Sequence, residues 1–419
     1  MLPQILPVSP LLLSAFFMLI GLGISTVLIP LGAAAHGWSS VTLAWIGTAY
    51  AVAFTGGSVI VPALVRRIGH IRVFAVIQTL LAASMLLHAL APHPLAWAAF
   101  RLLAGAATAG SYMVLESWLN ERADNASRGF VLSFYMIVSQ AGVALGQYSA
   151  PFGDPAAATF YMIGALLFGA ALLPVTMTTA ASPQPPAGVR VDIAGLFRRA
   201  PSAAVGSLLA GVVFSNWVYF APIFGQRSGF APVEISNMLA AAMLGGILFQ
   251  LPLGRLSDRI DRRLVMALAG AVGCGISTAI AFVLPPEPML IAAGTFLLGS
   301  VLFPIYSLTV AHANDHADPS EFVQVSGSLL ILYGIGNMAG PQLGGRLMEA
   351  IGPSGLFVAL AITFAAFGLY AAWRSQRRAA PPADERTDFQ ALPTGALQTP
   401  EIYQLDPRSD ETTPDSGTR

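Results

Sequence analysis

The sequence predicts an all-α integral membrane protein whose twelve transmembrane helices form two six-helix bundles related by pseudo-two-fold symmetry. Hydrophobic residues make up 55% of the 419-residue chain and charged residues only 10%. Apolar stretches of about 20 residues, the length at which a helix crosses a bilayer, follow one another along the chain. Parts of the first half also recur in the second half. The period of two that marks membrane β-strands is missing, so these stretches are expected to be helices.

The polar segments between the apolar stretches define the predicted domains. The segment 181–201 contains prolines and arginines and follows the sixth span, which is typical of a cytoplasmic linker. The bundles are therefore predicted at 1–180 and 202–374. Residues 375–419 are rich in Pro, Asp and Thr and are predicted to be a disordered cytoplasmic tail. The predicted spans cover residues 11–31, 41–64, 72–91, 95–117, 129–150, 157–179, 203–225, 232–253, 264–284, 289–311, 323–345 and 354–374.

A concentrated group of charges separates the eighth and ninth predicted spans. Six ionised side chains occupy nine positions from Arg255 to Arg263. Each would cost roughly 3 kcal/mol at the bilayer centre, so a short water-facing turn is expected. A divergent copy lies 192 residues earlier, where Arg67 matches Arg259. The predicted gating residues of the two segments are Arg66, Arg67, Gly254, Asp258, Arg259, Arg262 and Arg263.

The two halves also match outside these charged segments. With an offset of 194, Gly105 corresponds to Gly299, Tyr112 to Tyr306 and Asn120 to Asn314. The same offset relates Gly142 to Gly336 and Gly146 to Gly340. Chance agreement between glycine-rich apolar segments is the alternative. The polar matches favour an internal duplication, which is a recognised transporter design.

Arginine placement predicts the orientation of the chain in a plasma (inner) membrane. If both termini are cytoplasmic, 18 of the 21 basic residues lie in inside loops or the tail, and all of them are arginine. Arg227 and Arg346 then lie outside, and Arg101 lies within a span. Because basic residues accumulate on the cytoplasmic side, both termini are expected to be inside.

Several functional classes lack support in the sequence. The arginines are spread over membrane-edge turns, so no nucleic-acid partner is expected. Cys274 is the only cysteine, and no metal site or cofactor is predicted. The chain has no GxxxxGK[ST], HExxH or GxSxG motif, which argues against an ATP-driven pump and against an enzyme. The expected partners are a small-molecule substrate, protons and the lipid bilayer, and the protein is expected to act as a monomer.

The charged segment Gly254 to Arg263 resembles the signature loop of the major facilitator superfamily. Asp261 stands where that family usually has a second glycine. The run Gly336 to Gly345 is similar to the family's GxxxGPxxGG pattern, which is associated with antiporters in the fifth span but here falls in the eleventh. The runs RRIGHIR, from Arg66, and ESWLNER, from Glu116, look most like the YcaD-like subgroup.

This resemblance implies that spans 1, 4, 7 and 10 face a central cavity. Helical spacing places Arg101, Thr108, Tyr112 and Glu116 on one face of the fourth span, and Tyr306 lies at the equivalent place in the tenth. The alternative is that Arg101 and Glu116 extend to the two membrane surfaces. Further candidate substrate contacts in the seventh span are Ser215, Asn216 and Tyr219.

Small residues in the eleventh span indicate a helix-packing surface. Gly336 and Gly340 are one turn apart and allow another helix to approach closely, with Gly344 one turn further on. Pro341 removes a backbone donor and favours a kink just beyond it. The alternative is that these residues have no special role, because Gly and Pro are common in membrane helices in general.

The first-half loop departs from the family pattern at Arg66, which stands where an acid is expected. In the family, that acid lies near the start of a helix in the opposite bundle, where the helix dipole favours a negative charge. The resemblance therefore implies that Arg66 would be repelled by the positive end of the eleventh span. The turn before that span holds Asp318 and Glu321 and no arginine. We therefore expect Arg66 or Arg67 to pair with Asp318 or Glu321 as a weak latch between the bundles, contributing about 1 kcal/mol.

The sequence favours a secondary active transporter that moves a small organic solute by alternating access, with proton-coupled export as the expected form. The alternative is a non-transporting membrane receptor or assembly factor on the same fold. The charged loop around Asp258 argues against a receptor, because a receptor need not keep gating charges. The sequence does not indicate which solute is carried.

Overall fold

The computed structural model describes residues 8–122, 128–177, 191–318, 321–377, 387 and 389. Within these residues, twelve helical segments are long and apolar enough to span a membrane, which confirms the predicted fold class. They are α1 Ser9–Ala35, α2 Ser40–Ile68, α3 His70–Leu90, α4 Pro94–Arg122, α5 Arg128–Gln147, α6 Ala158–Thr176, α7 Pro201–Arg227, α8 Pro232–Arg259, α9 Arg262–Phe282, α10 Pro288–Leu302 with Pro304–Asn314, α11 Phe322–Ile351 and α12 Gly355–Ser375.

Local chemistry sets several helix boundaries. The Ser39 side chain accepts a hydrogen bond from the backbone N–H of Thr42 at 3.1 Å and caps α2. Gly69 separates α2 from α3 at φ 85°, a conformation that glycine adopts without strain. Pro304 has no backbone N–H, and α10 is divided into two segments just before it.

The described part of the predicted linker is a short helix, Ile193–Arg199, which packs against α7 and α11. Asp192 caps this linker helix by accepting from the Gly195 N–H at 2.7 Å. The backbone N–H of Asp192 donates to Ser328 of α11 at 3.0 Å. These contacts fix the linker helix on the second set of six helices. Residues 181–190 of the predicted linker lie outside the described part of the chain.

Helices α1–α6 pack mainly on one another, and so do α7–α12. Within the first set, α2 packs on α4, and α1 packs on α5 and α6. Within the second set, α8 packs on α10, and α7 packs on α11 and α12. The two sets meet chiefly where α2 contacts α11 and α1 contacts α7. We call the end where α1 begins and α12 ends the terminus face, and the other end the opposite face.

The same backbone contact recurs in both sets of helices. A Cβ atom on Gly105 would clash with the carbonyl oxygen of Tyr50, and one on Gly299 would clash with that of Ala242. The glycines are 194 residues apart (299 − 105) and the carbonyls 192 apart (242 − 50). These are the two offsets at which the sequence repeats. The pairs α2·α4 and α8·α10 therefore meet through corresponding residues.

Hydrogen bonds join the two sets in the half nearer the opposite face. Thr48 of α2 donates to the Met338 carbonyl of α11 at 2.9 Å and accepts from the Gln342 amide at 3.0 Å. The N–H of Ser40, where α2 begins, lies 3.2 Å from a carboxylate oxygen of Glu349, near the end of α11. The two bundles are thus held together on this side of the molecule.

Candidate functional site

A central cavity lies between the two sets of helices, midway along their length. Its volume is about 90 Å³, which is room for a few water molecules. Side chains from α1, α2, α4, α5, α7 and α11 surround it. The lining residues are Leu22, Ser25, Thr26, Tyr50, Ala51, Phe54, Thr55, Arg101, Thr108, Tyr112, Val143, Phe214, Ser215, Val218, Tyr219, Gly334 and Asn337.

Arg101 is the charged residue of this cavity lining and is 7% exposed. Its Nη1 donates to the hydroxyl of Ser25 on α1 at 3.1 Å. Its Nη2 donates to the hydroxyl of Tyr219 on α7, also at 3.1 Å. The guanidinium carbon lies 4.0 Å from the centre of the Tyr50 ring. Arg101 therefore contacts both bundles at once.

The partners of Arg101 are uncharged. None of the ion pairs between described residues includes Arg101, and its Nε, although buried, has no acceptor among the protein atoms. The cation–π contact with Tyr50 offsets part of the desolvation of the charge. Placing an arginine at the bilayer centre costs roughly 3 kcal/mol on insertion scales. The site thus keeps an uncompensated positive charge inside the membrane-spanning region.

The other predicted cavity residues divide into two groups. Thr108, Tyr112, Ser215 and Tyr219 line the cavity together with Arg101. The structure brings these five side chains together from α4 and α7. Their role in transport stays a prediction.

Glu116, Asn216 and Tyr306 lie away from the cavity lining. Glu116 is fully buried one turn beyond Tyr112 and accepts a long hydrogen bond, 3.4 Å, from the Tyr135 hydroxyl of α5. It therefore does not extend to the membrane surface. Asn216 donates to the Val212 carbonyl within α7. Tyr306 packs on Tyr333, with ring centroids 4.6 Å apart.

Sequence reasoning missed most of the cavity wall contributed by α1, α2 and α11. Ser25, Tyr50, Thr55 and Asn337 are polar residues within apolar stretches, and this was an available signal. Such residues more often bond within a bundle, so the signal alone does not select them. The contact of Tyr50 with Arg101 depends on how α2 packs on α4, which the sequence does not show.

The charged segment after α8 differs from the predicted water-facing turn. Arg255 and Arg259 are exposed, but Arg262 and Arg263 are only 1% and 4% exposed. Arg262 pairs with Asp315, the residue directly after α10, at 2.7 Å and with Asp258 of α8 at 3.1 Å. The expectation that all six charges face water is therefore wrong. Burial is possible because carboxylates from two helices surround the Arg262 guanidinium.

Two residues of the tail contact this segment. The backbone N–H and hydroxyl of Thr387 each donate to one carboxylate oxygen of Asp315 at 3.0 Å, and Arg262 donates to the Thr387 carbonyl. The N–H of Phe389 donates to Asp258 at 3.0 Å, and its ring lies where a Cβ on Gly254 would be. These two residues therefore contact the charged segment, and the disorder of the tail stays a prediction. The rest of the tail from 378 onward lies outside the described residues.

The predicted pairing of Arg66 or Arg67 with α11 is not found among the residues that the structure describes. Both arginines are exposed, and Glu321 pairs instead with Arg199 of the linker helix. The hydrogen bond from Arg199 holds the pKa of Glu321 below its usual range. Asp318 is exposed. The expected latch is thus replaced in this conformation, because the linker helix places a nearer cation beside Glu321.

The glycines of α11 lie against α7. A Cβ on Gly336 would meet the Leu208 carbonyl, one on Gly340 the Ser215 hydroxyl, and one on Gly344 the Asn216 side chain. Pro341 lies inside the helix, which continues to Ile351. The predicted packing residues thus lie along one contact between two helices of the second bundle.

This architecture defines a class: polytopic α-helical membrane proteins with two six-helix bundles and a polar cavity between them. Solved structures of two transporters share the fold. Nucleoside transporter NupG superposes with a TM-score of 0.74 at 15% identity, covering 88% of this chain and 98% of that one. A bacterial homologue of the human lysosomal transporter Spinster superposes with a TM-score of 0.66 at 14% identity, covering 88% and 95%.

The chain belongs to the Major Facilitator Superfamily, whose family model matches residues 11–236 and 203–404. Among curated proteins, it is 26% identical over 362 residues to the uncharacterized MFS-type transporter YcaD of Salmonella arizonae, covering 85% of this chain and 92% of that protein. The YcaD protein of Salmonella typhimurium matches with the same identity and coverage. The family recognised from the sequence is confirmed.

Proposed function

We propose that this transporter moves a small organic solute by alternating access, as a secondary active carrier. The supporting observation is the central cavity, which both bundles line and which Arg101 of α4 and Tyr219 of α7 bridge at 3.1 Å. A solute bound there contacts both bundles, so its binding energy depends on how the bundles are arranged. That dependence is what lets a ligand shift a conformational equilibrium.

Export coupled to protons is the form that we propose. The bundles are joined on the opposite-face side, so solute exchange in this conformation is directed toward the terminus face. Arginine placement predicts that this face is cytoplasmic. Glu116 is a buried carboxylate on the same helix as Arg101 and is the proposed proton carrier. The comparisons give no support to the receptor alternative.

Paired distance measurements test alternating access. Spin labels at Arg66 and Asp318 report on the terminus face, and labels at His36 and Ala350 report on the opposite face; all four positions are exposed. We expect the two distances to change in opposite directions when a transported solute is added to the reconstituted protein. Distances that stay constant, or that increase together, would contradict alternating access.

Flux measurements test the transport activity and its coupling. Proteoliposomes are loaded with radiolabelled small organic solutes of each charge class, and counterflow is measured with and without a pH gradient. At least one solute should exchange faster than in protein-free vesicles, and the pH gradient should drive its accumulation. Glu116→Gln should keep counterflow and lose the response to the gradient.

A further inference from the structure

The Arg101 guanidinium has one edge that its protein contacts leave incomplete. On this edge, Nε and Nη2 point the same way and form the fork that binds a carboxylate with two parallel hydrogen bonds. Nη2 donates to the neutral Tyr219 hydroxyl, and Nε has no acceptor among the residues that the structure describes. One face of the guanidinium plane is covered by the Tyr50 ring. The position and direction of an incoming acceptor are therefore set.

Among the described residues, the rest of the cavity lining supplies no negative charge. Its polar groups are hydroxyls, the Asn337 amide and the guanidinium itself. Aromatic rings from both bundles complete the wall: Tyr50, Phe54, Tyr112, Phe214 and Tyr219. The cavity is thus rich in donors, positively charged and largely aromatic.

We propose, on the basis of the transport function proposed above, that the solute is a small organic carboxylate with an apolar or aromatic body. Its carboxylate accepts from Nε and Nη2 of Arg101 and neutralises the buried charge. Its body packs against the aromatic wall, where rings from both bundles are within reach. A cationic solute would be repelled by Arg101, and a neutral one would leave the charge uncompensated.

This binding mode also connects the ligand to the interface between the bundles. The carboxylate accepts from Nη2, the same nitrogen that donates to Tyr219 across the interface. Because Nη2 has two N–H groups, the ligand adds a charged acceptor beside this bond between α4 and α7. Occupancy by a carboxylate thus changes the surroundings of a contact between the two bundles, which a neutral solute bound elsewhere in the cavity would leave unchanged.

Matched probes test the proposal on purified wild-type protein. Benzoate and hexanoate are compared with benzamide and hexanamide, their neutral counterparts, and with benzylamine, which is cationic. A ligand that binds the native state raises the unfolding temperature. We expect at least one carboxylate to raise it, and its amide to bind roughly tenfold more weakly or worse, as expected for loss of a hydrogen bond to a charged group. Equal responses to a carboxylate and its amide, or no response to either carboxylate, would overturn the proposal.

Variants localise the effect. Arg101→Gln should remove the response to carboxylate, and Arg101→Lys should keep a weakened response, because lysine retains the charge and loses the planar fork. Arg227→Gln, at an exposed site near the opposite face, is the matched control and should respond as wild type. A carboxylate response that persists in both Arg101 variants would overturn the assignment. Carboxylate binding without flux in proteoliposomes would refute the transport function and leave the carboxylate site standing. Flux of neutral solutes alone would refute the carboxylate site and leave the transport function standing.

Discussion

The Arg262 and Asp315 side chains form an ion pair of 2.7 Å in which both partners are almost entirely removed from solvent, at 1% and 2% exposure. The pair connects the first turn of α9 to the end of α10. Arg262 also donates to the Ser257 hydroxyl at 2.9 Å, so the guanidinium is held from three directions. The charged segment thus fixes the terminus-face ends of α8, α9 and α10 relative to one another.

Asp315→Ala should destabilise the protein by about 2 kcal/mol, because Arg262 loses its more deeply buried carboxylate partner while Asp258 still pairs with it. Thermal unfolding in detergent, followed by circular dichroism, would measure the loss. Asp318→Ala is the control: that side chain is exposed, and the change should be within about 0.5 kcal/mol. Equal effects of the two substitutions would show that the buried pair contributes nothing specific.

Alanine at Gly105 or Gly299 should destabilise the protein, because the added Cβ would clash with a carbonyl of the facing helix. A loss of about 1–3 kcal/mol is typical of overpacking. Gly56→Ala and Gly275→Ala provide matched controls, since an added Cβ at either site has no atom within 4 Å. Thermal unfolding should separate the two pairs. Controls as unstable as the test variants would mean that close packing is not the cause.

Thr48→Val should loosen the contact between the bundles near the opposite face, because it removes both the donor to Met338 and the acceptor for Gln342. The measurement uses a Cys274→Ser background with a single cysteine at Ala44, which is buried on α2. A membrane-impermeant thiol reagent should label that cysteine faster in the Thr48→Val variant. Thr79→Val is the control: this side chain is exposed and its hydroxyl bonds to the Ala75 carbonyl within α3, so the cysteine should label at the original rate. An unchanged rate in Thr48→Val would argue against a closing role for these bonds.

The pair between Arg199 and Glu321 should give a small, pH-dependent contribution to stability. Arg199 lowers the pKa of Glu321 from its ordinary value of 4.5. Because the carboxyl pKa is lower in the folded state than in the unfolded state, the pair stabilises the folded protein at pH values above the unfolded-state pKa. This stabilisation is lost as the pH falls through the pKa of the folded state. Arg199→Ala should therefore lower the unfolding temperature slightly at pH 7, and the difference should shrink as the pH falls below about 4.5. Arg198→Ala, an exposed neighbour, should show no such trend; the same trend in both would exclude a specific pair.

Phe389 and Gly254 should be energetically coupled, because the Phe389 ring packs where glycine has no side chain. Phe389→Ala and Gly254→Ala should each lower stability, and the double variant should be less destabilised than the sum by about 0.5 kcal/mol or more. Combining Phe389→Ala with Gly275→Ala gives the additive control. Additivity in both combinations would mean that the tail contact makes no contribution.

Hydropathy was sufficient to find every span, because an apolar stretch of bilayer length rarely forms anything other than a membrane-spanning helix. The boundaries agree within a few residues, except where helices continue past the apolar stretch, as α4 does to Arg122. The polar continuation is stabilised by contacts that hydropathy does not report. The division of α10 at Pro304 follows from proline chemistry, although the sequence alone does not show where a proline breaks a helix and where, as at Pro341, it does not.

The site was predicted only in part, for reasons of packing. Arg101 and Tyr219 stood out as polar groups within spans, and both line the cavity. Asn216 is as polar as its neighbour Ser215, but α7 turns it toward Gly344 of α11. Which face of a helix points inward depends on its neighbours when all of its faces are apolar. In the same way, the burial of Arg262 depends on Asp315, which is 53 residues away in the sequence.

The positive charge that Arg101 places in the described cavity lining also affects which ions can cross the protein without being transported. A fixed cation surrounded by low-dielectric walls raises the energy of any sodium ion or hydronium that enters, much as an arginine blocks cations in water-conducting pores. Each proton that crosses a potential of 100 mV without coupling to transport dissipates about 2.3 kcal/mol of free energy. We therefore expect Arg101 to act as an electrostatic barrier to cations even when water fills the space around it. A transporter of this design need not seal its centre sterically to keep the membrane tight to cations.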